Sequence, residues 1–269
     1  MNAPAPDPPL ADTPAVTATA RVHAARNGTA TVLPLLSGDG PFYLQRLRDQ
    51  DGLARIDVIG AMSGPLGGDR LALHVEVGPD AGLRITAAAS TIALRGPGTD
   101  AATYDVRLTV ADGGVLHWLP EPVISTAGST LYQTCTVDLA PTARLVLRDE
   151  QVLGRTGEPS GRLTTRLTVH RGGRPLLDQH TSYGDPHPGW DGPAVVGGHR
   201  ACGQLLVVEP DIAPAGLPTV LLGDPGGGAQ GVLAPLAGPA VLATAVAGTA
   251  SRLRGLLDEA LERALTRGV

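Results

Sequence analysis

The stretch GGVLHWLPEPVISTAG, residues 113–128, decides the fold of this chain. Each of its prolines fixes φ, removes an amide donor and biases the preceding residue toward an extended conformation. Residues 119–122 therefore form neither a helix nor the middle of a central strand. We predict a stiff bend between two short strands, with Trp118 and Glu121 carried out of the sheet.

Short strands also recur on both sides of this bend. Asn27 and Gly28 predict a tight hairpin, because both central positions of a type I′ turn need positive φ. Apolar and polar residues alternate over residues 71–77, as expected for a half-buried strand. Such segments repeat about every 8–12 residues between Gly, Pro and Asp turns, which is typical of an all-β protein. We predict one β-rich scaffold domain over residues 17–210. The strand pattern fits three architectures, a sandwich, a barrel or a solenoid.

The two ends of the chain differ from this body. Residues 1–16 are rich in Pro and Ala and are predicted to form a disordered leader. Residues 211–269 are predicted to be a Gly/Pro-rich connection, with a loop over 223–239, and a C-terminal amphipathic helix over 249–267. One face of this helix carries Leu253, Leu256, Leu257, Ala260, Leu261, Ala264 and Leu265. This spacing favours a helix that caps the β domain over a free helix that docks on a partner.

Composition and charge exclude several classes of protein. The 269 residues carry a net charge of −5, and the arginines are scattered, so no nucleic-acid partner is expected. No apolar stretch reaches the roughly 18 residues of a membrane span. The N-terminus lacks the pattern of a secretory signal, so Cys135 and Cys202 are expected to be reduced thiols in a cytoplasmic protein.

Catalytic motifs are absent from the sequence, which predicts that the protein is not an enzyme. His74 and Glu76 share one strand face and could present two ligands to a metal, although a solvated face is the simpler interpretation. Asp149 and Glu150 adjoin on a strand, so they point to opposite faces. We therefore expect that at most one of these two carboxylates is buried, and that it needs a partner.

Four segments in order resemble the UreD (UreH) family of urease accessory proteins. They are SGPLGGDRL at 63–71, VEVGPDAGLRITAAAS at 75–90, LHWLPEPVISTAG at 116–128 and LRDEQVLGRTGE at 147–158. The chain is identified as a divergent member of this family. The resemblance implies a non-catalytic scaffold with a β-superhelix fold, a solenoid-like stack of short strands. It also implies binding to a UreF-like partner, to a UreG-like nickel GTPase through it, and to apo-urease, so that nickel reaches the urease active site.

The resemblance further implies a polar internal passage for the metal. Its positions correspond here to Asp69, Ser90, Asp149 and Asp178. An acidic residue of the family falls on Gln179, beside Asp178, so this chain departs from the family pattern there. Nickel prefers oxygen and imidazole donors that hold it weakly in transit, and no stably bound cofactor is expected.

Two other functions remain open at the level of sequence. A ligand- or carbohydrate-binding β module would need a concave face lined with aromatic side chains, but the chain has only four Tyr, two Trp and one Phe. A β-rich hydrolase would need a converged pair of acids or a metal site, which no spacing supports. A complex with a UreF-like protein favours the scaffold, whereas a hit on a glycan array favours the binding module.

Overall fold

The computed structural model describes residues 15–60, 62, 64–213, 217–224 and 226–266. These residues form many β-strands and one C-terminal helix, so the predicted all-β class is confirmed. In chain order the elements are β1 (Thr17–Asn27), β2 (Ala30–Ser37), β3 (Phe42–Gln50), β4 (Leu53–Gly60), β5 (Arg70–Val77), β6 (Gly82–Ala87), β7 (Thr91–Ala93), β8 (Ala102–Val110), β9 (Val115–Leu119), β10 (Val123–Ser125), β11 (Thr130–Leu139), β12 (Arg144–Leu153), β13 (Arg162–Arg171), β14 (Arg174–Tyr183), β15 (Ala201–Val208), β16 (Val220–Asp224), β17 (Ala229–Pro235), β18 (Ala240–Ala247) and α1 (Ala250–Thr266).

The strands form two sheets that the chain visits in turn. Sheet A has the order β14-β13-β11-β8-β5-β1-β2, and sheet B has the order β16-β17-β18-β15-β12-β9-β6-β4-β3. Neighbours from β1 to β13 in sheet A pair in parallel, and so do β4, β6, β9 and β12 in sheet B. Each coil thus adds one strand to each sheet, as β8 and β9 do. This stacking is the solenoid-like architecture that the resemblance implies.

The proline bend lies where the sequence predicts it, between β9 and β10. After the bend, β10 pairs with β12 and β7. The prediction that Trp118 leaves the sheet is wrong, because Trp118 pairs in register with Ile85 and Leu147 and is only 6% exposed. Its neighbour in the bend, Glu121, does leave the sheet and reaches the helix. The apolar indole is retained between the sheets because burial favours it strongly.

The helix α1 packs on the outer face of sheet B, as the capping interpretation predicts. Thr249 begins it as the N-cap, where its hydroxyl accepts a hydrogen bond of 3.4 Å from the Arg252 amide. Leu253 and Leu257 are fully buried in a second core with β15, β17 and β18. Leu265 is 48% exposed, although its spacing places it on the apolar face.

The predicted loop over residues 223–239 is wrong in its central part, since β17 covers Ala229–Pro235 and continues sheet B through β18. The glycines of this segment favoured the loop prediction. A Cβ at Gly231 would lie 2.7 Å from the carbonyl oxygen of Thr244, so glycine is required inside this strand by the close approach of β18. The predicted leader falls, apart from its last two residues, outside the described residues.

Candidate functional site

A polar band crosses the otherwise apolar space between the two sheets. The inner face of β11 is apolar at Leu131 and Val137 but carries Gln133 and Cys135 between them. The inner face of β12 is similarly apolar at both ends. Its middle positions are Asp149 and Gln151. Because inner positions recur every second residue, these side chains all point toward the space between the sheets.

Asp149 lines two cavities in this band. One cavity, of about 630 Å³, is lined by Gln151, Gln204 and other residues and is called here the Gln204 cavity. The other, of about 610 Å³, is lined by Ser90, Gln133 and other residues and is called the Ser90 cavity. Among the described residues, Asp149 is the one that contributes to the walls of both. A carboxylate therefore stands in the wall that the two cavities share.

Strand register explains the amides around this carboxylate. Asp149 pairs with Gln204 of β15, and Gln204 pairs in turn with Thr244 of β18. Gln151 is two residues further along β12, on the same face as Asp149. On sheet A, Gln133 pairs with Thr165 of β13, which also lines the Gln204 cavity. The surroundings of Asp149 are thus built from neutral oxygen- and nitrogen-bearing side chains.

Several of these amides have polar atoms that lack a partner. Within the described part of the chain, the Oε1 atoms of Gln133, Gln179 and Gln204 are buried without a hydrogen bond, and so is the Nε2 atom of Gln151. Buried polar atoms are nearly always hydrogen-bonded to protein or to ordered water. Four such groups on cavity walls indicate space that water, or a hydrated cation, satisfies. Together with Asp149, the three amide oxygens provide ligands of the kind that hold divalent cations weakly.

The charge of Asp149 depends on this environment. Burial raises the pKa of the Asp149 carboxyl to about 6, and the neighbouring amide side chains of Gln151 and Gln204 oppose this rise. A cation beside the group would favour the ionised form. Burial likewise raises the pKa of the Cys202 thiol to about 12, and it raises the pKa of Cys135 strongly. Both thiols are therefore neutral, and the site offers oxygen ligands in preference to thiolates.

Three of the four predicted passage residues lie together. Asp69, Ser90 and Asp149 all line the Ser90 cavity. Asp69 is also part of the local structure, since its two carboxylate oxygens accept hydrogen bonds of 2.8 Å from the amides of Val16 and Leu66. This carboxylate anchors the Gly-Gly turn to the start of β1 while it faces the cavity.

The fourth predicted residue, Asp178, lies on the outer face of sheet A. It accepts hydrogen bonds of 3.0 and 2.8 Å from Arg166, which lower the pKa of the Asp178 carboxyl. The next residue, Gln179, points to the opposite face and lines the Gln204 cavity. Since consecutive strand residues alternate between faces, the departure from the family pattern leaves an amide on the cavity wall.

Glu150 is the buried member of the two adjacent carboxylates and has the partner that the sequence predicts, whereas Asp149 is only partly buried. Asp149 faces the interior, whereas Glu150 faces outward, yet its side chain is only 1% exposed. The helix α1 covers it, and Arg254 lies 2.6 Å from its carboxylate. Arg148 makes a second ion pair with it at 3.1 Å. Arg254 also reaches Glu121 of the proline bend at 3.2 Å, so one guanidinium joins the helix, the bend and β12.

Tightly assembled metal sites are not found in the described residues. No group of three or more His, Cys, Asp or Glu side chains there is close enough to hold a metal ion. His74 and Glu76 on β5 are therefore not part of such a group. No helix in the described part of the chain is both long and apolar enough to cross a membrane.

Comparison with known proteins places this chain in a family. The model of the UreD urease accessory protein family matches residues 16–268. The chain belongs to the UreD family. Urease accessory protein UreD 2 of Saccharopolyspora erythraea is 61% identical over 246 residues, which cover 91% of this chain and 87% of the relative. Urease accessory protein UreD 3 of Streptomyces griseus is 57% identical over 255 residues, 93% of this chain and 97% of the relative.

The family resemblance drawn from the four sequence segments is thereby confirmed. A relative from Frankia casuarinae, also a urease accessory protein UreD, is 35% identical over 277 residues and covers 89% of this chain and 86% of the relative. Membership in this family supports a role in urease maturation, and the family name describes an accessory protein, not the enzyme. The unpartnered glutamines were missed at the sequence level. The available signal was a polar residue at an inner position of an otherwise apolar strand. Gln133 on β11 and Gln151 on β12 are examples.

Proposed function

We propose that this protein is a non-catalytic scaffold for nickel delivery to urease. It binds a UreF-like accessory protein, recruits a UreG-like nickel GTPase through that partner, and docks on apo-urease in the cytoplasm. Nickel passes along the interior, with Asp149 as the carboxylate between the Ser90 and Gln204 cavities. UreD family membership supports the role in maturation, and the position of Asp149 is the observation that supports the path.

The chemistry around Asp149 suits an ion in transit. A single carboxylate with amide oxygens attracts a divalent cation but offers too few charged ligands to trap it. The neutral thiols of Cys135 and Cys202 do not add the tight sulfur ligation that would slow release. The unpartnered oxygens of Gln133, Gln179 and Gln204 replace part of a hydration shell. The cation is thus passed on with water still bound.

The same features argue against catalysis. The candidate nucleophiles Cys135 and Cys202 are held neutral by burial, and burial also raises the pKa of Tyr183 strongly. A nucleophile needs a lowered pKa or an adjacent base to be activated. We therefore propose that the protein turns over no substrate.

Reconstituted urease maturation tests this proposal. The urease genes and their accessory genes are expressed with this chain as wild type, as Asp149→Asn or as Asp178→Asn. The second substitution is the matched control, because it changes the same residue type on the outer face of sheet A. Two quantities are measured: the nickel content of purified urease, and the recovery of the UreF-like and UreG-like proteins with this chain.

We expect Asp149→Asn to retain the complex and to reduce the nickel content of urease toward that of a deletion strain. Asp178→Asn should leave the nickel content unchanged. Full nickel loading with Asp149→Asn would refute the path through Asp149. Failure of the wild-type chain to form a complex with the UreF-like protein would refute the scaffold role itself.

A further inference from the structure

A row of three basic residues crosses the outer face of sheet B, away from both cavities. Arg55 on β4 pairs in parallel register with Arg84 on β6, and Arg84 pairs with His117 on β9. Neighbouring strands lie about 4.8 Å apart, so in-register side chains on one face are direct neighbours. Both arginines are half-buried. The register of the sheet thus places two arginine residues next to each other on one face.

Among the described residues, two carboxylates lie near this pair but form no ion pair with it: Asp57 is two residues from Arg55 on the same strand face, and Asp51 acts on His117. Neither Arg55 nor Arg84 takes part in a salt bridge there, whereas Arg46, on the neighbouring strand β3, pairs with Asp49. Arg55 donates through Nη1 to Gln50 Oε1 at 2.9 Å. The Nε atoms of Arg55 and Arg84 are buried and, within the described part of the chain, have no hydrogen-bond partner. Like charges opposite one another on neighbouring strands destabilise a sheet. A bound anion would relieve this repulsion.

The surrounding groups orient one guanidinium without neutralising it. Arg84 donates through Nη2 to Nδ1 of His117 at 3.2 Å. Burial, together with Arg84, lowers the pKa of His117 to about 4 against an opposing effect of Asp51, so this imidazole is neutral and serves as the acceptor. The carboxylate of Asp57, on the same face, accepts a hydrogen bond from the Thr86 hydroxyl. Arg84 is therefore fixed in direction with donors left over.

We propose that Arg55 and Arg84 form an oxyanion-binding site on the outer face of sheet B. The ligand class is a planar or tetrahedral oxyanion, either a carboxylate or a phosphate group. Paired guanidinium groups match such anions through parallel hydrogen bonds, and the charge-assisted bonds are stronger than neutral ones. A bound anion also removes the repulsion between the two arginines. The site is independent of the nickel path, because neither arginine lines the Ser90 or the Gln204 cavity.

Anion titration of the full chain tests this site. Melting temperature and isothermal titration calorimetry are measured with inorganic phosphate and, separately, with acetate, each against chloride at equal ionic strength. Low millimolar concentrations are used because concentrated phosphate stabilises proteins nonspecifically. The variants are Arg55→Gln, Arg84→Gln and Arg84→Lys. Arg107→Gln is the matched control, since it removes an exposed arginine from a strand of sheet A.

We expect a saturable rise in melting temperature with phosphate, weakened about tenfold in affinity by either Gln substitution. The phosphate affinity of Arg84→Lys should lie between those of the wild type and Arg84→Gln, since lysine keeps the charge but loses the planar fork. In chloride alone, Arg55→Gln should not lower the melting temperature, because it relieves repulsion. Binding of both anions supports a general oxyanion site, and binding of phosphate alone supports a phosphoryl ligand. No saturable response in the wild type, or equal affinity in Arg84→Gln and Arg107→Gln, would overturn the proposal.

Discussion

Arg254 is predicted to secure the C-terminal helix through a buried ion pair. It donates through Nε to both carboxylate oxygens of Glu150, at 2.9 and 2.8 Å, and through Nη1 to Glu121 at 3.2 Å. Replacement by Met keeps the apolar stem but leaves Glu150 buried with Arg148 as its remaining partner. Breaking a buried ion pair costs about 3–5 kcal/mol, and the retained Arg148 places the expected loss near the lower limit, about 3 kcal/mol.

Urea unfolding and thermal melting of Arg254→Met measure this loss. For a chain of this length, about 3 kcal/mol corresponds to a decrease in melting temperature of about 5–6 °C. Arg263→Met is the control, because its pair with Glu259 lies on the same helix but is 41% and 37% exposed. Such an exposed pair contributes about 0.5 kcal/mol or less.

A double-mutant cycle separates the ion pair from helix packing. Glu150→Gln removes the buried charge, so Arg254→Met should cost less in that background than in the wild type. The reasoning is refuted if Arg254→Met destabilises no more than Arg263→Met. It is also refuted if the two substitutions add without coupling, since the loss would then come from packing alone.

Three further predictions concern the interior and the turns. Burial holds the pKa of Asp149 at about 6, above the usual value of about 4, so the folded state binds this proton more tightly and ionisation destabilises it above pH 6. Asp149→Asn should therefore stabilise the protein at pH 7.5 and lose this advantage between pH 6 and 4. Urea unfolding of the wild type and the variant at pH 7.5 and at pH 4 checks this. An effect on stability that is equal at both pH values would contradict it. Leu257→Ala, at a fully buried helix position, should cost about 2–5 kcal/mol in urea unfolding, whereas Leu265→Ala, at a 48% exposed position, should cost under about 0.5 kcal/mol. Gly113→Ala should lower the melting temperature, because Gly113 has φ of 68° and a Cβ there would collide with the Asp80 carboxylate; an unchanged melting temperature would show that the turn relaxes.

The amino-acid sequence by itself determined the local structure and the family. Period-two alternation and the Gly and Pro turns predicted the strands, because these signals act over a few neighbouring residues. The bend at residues 119–122 follows from proline geometry alone. The amphipathic stripe around Leu253 and Leu257 predicted the helix in the same way. Four short segments sufficed for the UreD resemblance.

Tertiary structure decided which of these residues meet. Register between distant strands places Gln204 beside Asp149 and Arg55 beside Arg84, and no local pattern encodes such pairing. The burial of Glu150 depends on a helix about a hundred residues further along the chain, so alternation along β12 could not reveal it. Burial and charge neutralisation depend on three-dimensional neighbours, whereas strand formation depends mainly on the residues of the strand itself.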